Sequence, residues 1–268
     1  MKDQPAALFV FAHQDDEIAM ASRIILEIAQ RRIVLCIYLT DGRGTGVPTS
    51  VRNKESAAVL RSLGVEAAGI FFAGSDGEIP DGLLVENLET ALQRLERWTE
   101  RAEIGTVYSL AWEGGHQDHD ASHLVAAAFA RRRGILDRCF ELPLYRGVPG
   151  HSRFFRVLAP MPGGPVWQER RISFLDGWRH SMLCWHYRSQ RFSFLGLFPE
   201  LFLKLAILRR ERWRGAEVSR LMNRPHEGPL LYERRFRFPY ERFMRAASDF
   251  IERHLASSAT SARPEGPR

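Results

Sequence analysis

Residues 9–17 read Phe9-Val10-Phe11-Ala12-His13-Gln14-Asp15-Asp16-Glu17. An apolar run stops abruptly at a histidine and two adjacent carboxylates. In an α/β sheet, a parallel strand delivers polar groups to the rim in this way. Imidazole and carboxylate are zinc-type ligands, and a free carboxylate beside them can act on a metal-bound water. Far downstream, His116-Gln117-Asp118-His119 follows a second short apolar run, Thr106-Val107-Tyr108-Ser109-Leu110. Two His/Asp clusters at two strand ends point to one hydrolytic metal site.

The rest of the first half supports that placement. Residues 6–12 are continuously apolar, as in a strand buried on both faces. Ile18, Ala21, Ile25, Ile28 and Ala29 follow at helical spacing, with Asp15 or Asp16 available as N-cap. Strands are expected at 33–39, 70–73 and 106–110, and helices at 51–63, 83–101 and 120–133. Gly64 is placed to close the second helix as a C′ glycine. Strands alternating with helices of this length imply an α/β fold with a mainly parallel sheet and right-handed crossovers. The polar clusters around His13, Asp41, Asp76 and His116 all fall at expected strand ends.

Beyond residue 134 the pattern loosens, with prolines at 143, 149, 160, 162 and 165. A helix is expected from 174 to about 187. The apolar run 192–208 is followed by Arg209-Arg210-Glu211-Arg212-Trp213-Arg214, a solvated or salt-bridged basic face. The run suits a lid, a dimer contact, a core helix or, with its basic flank, an interfacial helix on anionic lipid. Peripheral membrane contact through 192–214 and oligomerisation are thus both open. The tail 256–268 has a disordered composition.

Composition sets outer bounds. The 268 residues are 45% hydrophobic, enough for a sizeable core. Thirty-eight Lys and Arg against 32 Asp and Glu give +6, a mild basicity that suits anionic ligands. No nucleic-acid partner is expected. Three scattered cysteines make neither a disulfide framework nor a CxxC zinc site, which fits a reducing, cytoplasmic setting. The first apolar run is cut short by His13 and Asp15, so it reads as a strand rather than a signal peptide. No stretch is long and apolar enough to span a bilayer.

At the site, His13 and Asp16 are spaced to reach one ion from a turn. His119 supplies a third ligand from the opposite loop and leaves a position open for water. Asp15 then serves as general base. His116, as imidazolium, polarises a carbonyl oxygen, with Asp118 holding it in place and protonated. Zinc suits this donor set, and ferrous iron suits it almost as well.

These residues resemble the PIG-L (LmbE-like) family of zinc-dependent N-deacetylases. Ala12-His13-Gln14-Asp15-Asp16-Glu17 matches the family's AHPDDE, and His116-Gln117-Asp118-His119 matches its HxDH. Arg52, Glu55 and Leu63-Gly64 match an intervening motif, with Val59 where the family usually has alanine. Tyr187-Arg188-Ser189-Gln190 resembles a later H-x-SQ, with tyrosine in the histidine position. Tyr232-Glu233-Arg234-Arg235-Phe236 is loosely similar to a Glu-x-Phe strand. Gln14 replaces the usual proline, which predicts a slightly looser ligand loop. No tyrosine stands in the Trp112-Glu113-Gly114-Gly115 stretch just before His116, so either His116 acts alone or another residue such as His186 assists.

The resemblance implies a Rossmann-like three-layer α/β/α fold with a C-terminal segment that shapes the substrate site. It implies a single domain over 1–255, with the sheet core and metal site in 1–134 and an extension over 135–255. It also implies removal of an N-acetyl group from an amino sugar or glycoconjugate. His13, Asp16 and His119 are its ligands, Asp15 its base and His116 its electrophile, while Arg52 and Asp76 grip sugar hydroxyls. Arg52 could instead pair with Glu55 on the helix surface. Two other classes stay open: a non-catalytic sugar- or nucleotide-binding module, and an amidase for a non-sugar acyl conjugate. Against the first, the opening βα turn carries carboxylates rather than GxGxxG.

Overall fold

The structure, a computed structural model, describes residues 4–75, 78–148 and 151–256. Its centre is β1 (Ala6–Phe11), in which every residue is buried. Alternate side chains feed two different cores. Leu8, Val10 and Ala12 enter one, while Ala7, Phe9 and Phe11 enter the other. Such double burial is why the run is continuously apolar.

Strands β2 (Val34–Tyr38), β3 (Ile70–Phe72), β4 (Ile104–Leu110), β5 (Cys139–Leu142), β8 (Gln168–Arg171) and β9 (Arg210–Gly215) complete a seven-stranded sheet. Its order is β3-β2-β1-β4-β5-β9-β8. The first five pair in parallel, and β9 and β8 are antiparallel additions. A separate hairpin joins β6 (Tyr145–Val148) and β7 (His151–Val157). On one face lie α3 (Leu88–Trp98), α4 (Gln117–Arg132) and α8 (Tyr240–His254). Ile24 of α1 (Ala21–Ala29) and Leu60 of α2 (Thr49–Ser62) pack on the other. The result is a three-layer α/β/α fold. Three of the seven strands come from beyond residue 134, so the sheet core extends past the expected boundary.

β1 and β4 are neighbours although far apart in sequence, because the chain winds outward from β1 in both directions. Ligand sites of such sheets form at this switch point, beyond the carboxyl ends of the strands. It brings the turn after β1 beside the turn after β4.

The basic run 209–214 is mostly sheet. Glu141 of β5 stands opposite Arg214 of β9, and Arg214 Nε donates to Glu141 at 2.5 Å with both side chains buried. Glu211 is paired with Arg23 and Arg170 at 3.3 and 2.8 Å. Buried charges persist only when paired in this way. The apolar run divides between α6 (Arg191–Phe202) and a π-turn over Leu203–Ile207. Phe194 and Leu201 are buried, whereas Phe192 is 78% exposed. The helix from 174 is shorter than expected: α5 (Phe174–Met182) gives way to a 3-10 turn. The tail beyond Ala256 lies outside the described residues. Among the described residues, no helix is long and apolar enough to cross a membrane.

α5 docks on α1 through a buried hydrogen bond of 2.8 Å between Ser22 Oγ and His180 Nδ1. Burial pushes His180 down to about 4; Asp176 opposes that shift, and Arg170 and Arg179 add to it. The unfolded chain titrates near 6.5, so between pH 6.5 and 4 it binds a proton that the native state refuses. Stability is therefore expected to fall as pH drops through that window, by about 3 kcal/mol in full. Urea unfolding at pH 7.5 and 5 checks this. The drop should be about 2 kcal/mol smaller in His180→Asn, and equal drops would refute the assignment.

Candidate active site

Both turns open into a cavity of about 400 Å³ lined by His13, Asp15, Asp16, Arg52, His116 and His119. Asp16 begins a 3-10 turn ahead of α1, and no side-chain cap forms there. Its carboxylate turns back instead, with Oδ2 accepting from the Ala12 and His13 amides at 2.9 and 2.8 Å. That leaves Oδ1 facing His119 Nε2 at 3.1 Å. The same Nε2 lies 3.2 Å from His13 Nδ1.

The other nitrogen of His13 is held from behind. Nε2 lies 3.0 Å from Asp118 Oδ2 and 3.2 Å from Asp81 Oδ1. Burial pulls this histidine toward neutrality, but the two carboxylates outweigh it and raise its pKa well above the usual value. A proton on Nε2 leaves the Nδ1 lone pair free, as in the carboxylate–histidine pairs that orient metal ligands. Asp118 is itself fixed by the amides of Gly82 and Leu84, at 2.6 and 3.1 Å. This corrects one expectation. The Asp118 carboxylate supports His13 rather than His116, and only its backbone N–H reaches His116 Nδ1, at 3.1 Å.

That bond also sets the state of His116. Burial lowers its pKa well below the usual value, and His13 and His119 push it further down. With Nδ1 accepting, the neutral ring carries its proton on Nε2. His116 is thus a neutral donor rather than the expected imidazolium. Phe236 holds the ring edge-on at 4.5 Å.

The donor set fits a divalent cation. Separations of 3.1 and 3.2 Å approach the about 3.3 Å between ligands in a tetrahedral site with bonds near 2.0–2.1 Å. The groups whose ligand atoms all lie within 4.8 Å of one another are His13, His116 and His119, and His13, Asp81 and Asp118; Asp16 joins the first through His119 Nε2. The second group contains the supports of His13, whose hydrogen bonds are already committed.

Asp15 faces the same cavity with its side chain one-fifth exposed. Burial raises its pKa to about 7, against the opposing pull of Arg52. Its backbone has φ 120°, where a non-glycine residue is strained. Two neighbours hold it there. Its amide donates to Glu17 Oε2 at 3.0 Å, and Arg52 Nη2 contacts its carboxylate at 3.2 Å. Glu17 in turn accepts from the hydroxyl of Tyr187, the residue in the later motif's histidine position.

Arg52 is almost fully committed. Nη1 donates to Gly42 O at 2.7 Å and Nη2 donates to Gln14 O, while Nε is buried without a hydrogen-bond partner among the described residues. Glu55 bonds Ser189 instead of forming the alternative pair with Arg52. Gln14 is buried, and its amide reaches Asn53 at 2.7 Å. A hydrogen-bonded side chain thus pins the loop where proline was expected to stiffen it.

Other expectations fare differently. His186 is exposed, bonds the Leu183 carbonyl and does not line the cavity. Asp76 lies outside the described residues. Residues 232–236 belong to a short helix, α7 (Leu231–Arg235), and its end rather than to a strand. Sequence reading missed Asp81, Tyr145, Arg235 and Phe236, which all line the cavity. Asp81 carried a local signal as the centre of the turn-forming Pro80-Asp81-Gly82, and Arg235 and Phe236 lie in the stretch that resembles a Glu-x-Phe strand.

A parallel sheet with imidazole and carboxylate donors at its switch point defines an α/β protein with a candidate metal centre. Residues 8–130 match the family model described as PIG-L, GlcNAc-PI de-N-acetylase. No curated protein matches the chain. Among solved structures, it resembles a deacetylase of teicoplanin biosynthesis, with 14% identity and a TM-score of 0.60, covering 79% of this chain and 99% of that one. It also resembles the deacetylase of the antimicrobial A40926 pseudoaglycone, with 18% identity and a TM-score of 0.60, covering 80% and 100%. A conserved protein from Thermus thermophilus shares 20% identity with a TM-score of 0.56, covering 80% and 95%. At these identities the likeness concerns the fold.

Proposed function

We propose that this protein is a divalent-metal-dependent hydrolase that removes an N-acyl group, acetyl in the simplest case, from an amino sugar or its glycoconjugate. The observation that carries this reading is that His119 Nε2 lies 3.2 Å from His13 Nδ1 and 3.1 Å from Asp16 Oδ1, beside an Asp15 that takes no part in these contacts. The family's description and the two fold neighbours described as deacetylases support it.

His13, Asp16 and His119 would hold the ion. Zinc or ferrous iron there would supply Lewis acidity and lower the pKa of a bound water towards about 7. Asp15 takes a proton from the attacking water and then passes it to the departing amine. His116 offers its Nε2–H to the carbonyl oxygen as negative charge develops there. The bond from water oxygen to acyl carbon forms, the amide C–N bond breaks, and a carboxylate and an amine result. Arg52 positions Asp15 and holds the turn that carries it.

The commitment of Arg52 changes the expected effect of removing it. Arg52→Gln should lower kcat by about 10–100-fold, as general-base geometry is lost. KM should change little and metal content should hold. A rise in KM at constant kcat would instead make Arg52 a sugar-gripping residue. The reading as a whole is tested by elemental mass spectrometry followed by an N-acetylglucosamine deacetylation assay. About one ion per chain with amine release is expected, and failure to take up metal after reconstitution would overturn it.

A further inference from the structure

The cavity is polar on one side and apolar on the other. Gly44 and Arg52, which follow β2, and Asp81 and Gly82, which follow β3, line one side. These elements lie beyond one edge of β1 in the strand order. The apolar part of the lining is Leu144, just past β5, and Val157 of β7, with Phe194, Leu197 and Leu201 of α6 closing over it and Gln190 and Ser193 beside them. β5 lies beyond β4, on the other edge. The His13–Asp16–His119 cluster comes from the turns after β1 and β4, between the two.

Val157, Phe194 and Leu201 are 5% exposed or less and share one core cluster, against which Leu197 packs. They present an apolar wall rather than scattered side chains. Sites that take apolar ligands are built this way, and cavities of about 300–1,000 Å³ hold small molecules.

The carbonyl carbon of an N-acyl sugar has two substituents. One is the amide nitrogen, which leads to the hydroxylated ring, and the other is the acyl chain. With that carbon beside Asp15 and the ligand cluster, the two substituents must leave in different directions. An acetyl methyl would leave most of the apolar wall uncovered. We propose that the β5–α6 side of the cavity is an acyl-chain pocket and that the preferred substrate is an amino sugar carrying an N-acyl chain longer than acetyl. This rests on the hydrolase reading above and sharpens its substrate class.

The test uses the metal-loaded full chain and two series of glucosamine derivatives. The first varies the N-acyl group from acetyl to decanoyl on a methyl glycoside. The second keeps N-acetyl and lengthens the alkyl aglycone. In the first, kcat/KM should rise about threefold per methylene until the pocket is full. Leu197→Trp, which narrows the pocket without touching the ligand cluster, should shorten the optimal chain length. Measurable turnover with no gain beyond acetyl, or a gain confined to the aglycone series, overturns the pocket and leaves the hydrolase reading standing.

Binding of non-hydrolysable N-alkyl glucosamines gives a readout independent of turnover. Affinity that climbs with chain length and is lost in Leu197→Trp supports the pocket even if no substrate is cleaved. Flat affinity overturns it.

Discussion

Asp15→Asn is expected to take up metal like the wild type and to hydrolyse an N-acyl amino sugar about 10²–10⁴-fold more slowly. Asparagine keeps the shape and the hydrogen bond from Arg52 but cannot accept the proton that water must lose. The Asp15 carboxylate stands outside the ligand cluster, oriented by Arg52 at 3.2 Å and by the Glu17–amide contact. Its removal should therefore leave the ion in place. Elemental analysis and steady-state kinetics on the same preparation test the two halves together. Loss of metal along with activity would move Asp15 into the ligand set, and near-normal turnover would remove it from the mechanism.

Asp16→Ala should show the converse, with metal stoichiometry falling towards zero and turnover lost with it. Asp16 does two jobs at once. Oδ2 clamps the amides of Ala12 and His13, while Oδ1 faces His119. Alanine removes a charged ligand and also releases the turn that aims His13. Ligand loss of this kind costs metal affinity far beyond the 10–100-fold seen for supporting residues. Asp118→Ala offers that comparison, since Asp118 only backs His13 Nε2. Equal metal affinity in Asp16→Ala and wild type would refute the assignment, and the binding-module alternative would then become the better account.

Much of this was legible in the chain. The uniform burial of β1 is written in its unbroken apolar run, and the strand-end positions of His13 and His116 follow from where those runs stop. Asp15, Asp16 and His119 stood out only as a conjunction, since each alone reads as an N-cap or a packed histidine, and all three line one cavity. What it could not give was direction. Asp118 and His116 are two residues apart, yet the Asp118 carboxylate points to His13 because Gly82 and Leu84 offer amides from a distant loop. Arg52 looked like a ligand-gripping residue because its partners Gly42 and Gln14 are backbone carbonyls with no sequence signature. The basic run 209–214 hid a strand, because Arg214 and Glu211 are neutralised by residues from three other segments.

The φ of 120° at Asp15 has a consequence beyond geometry. Glycine is the residue that such a backbone prefers, so Asp15→Gly would relax the turn and should favour the folded state. Selection acting on stability alone would therefore erase the carboxylate, and so would an engineering campaign scored by melting temperature. On the proposed mechanism, position 15 is where folding and chemistry ask for different residues.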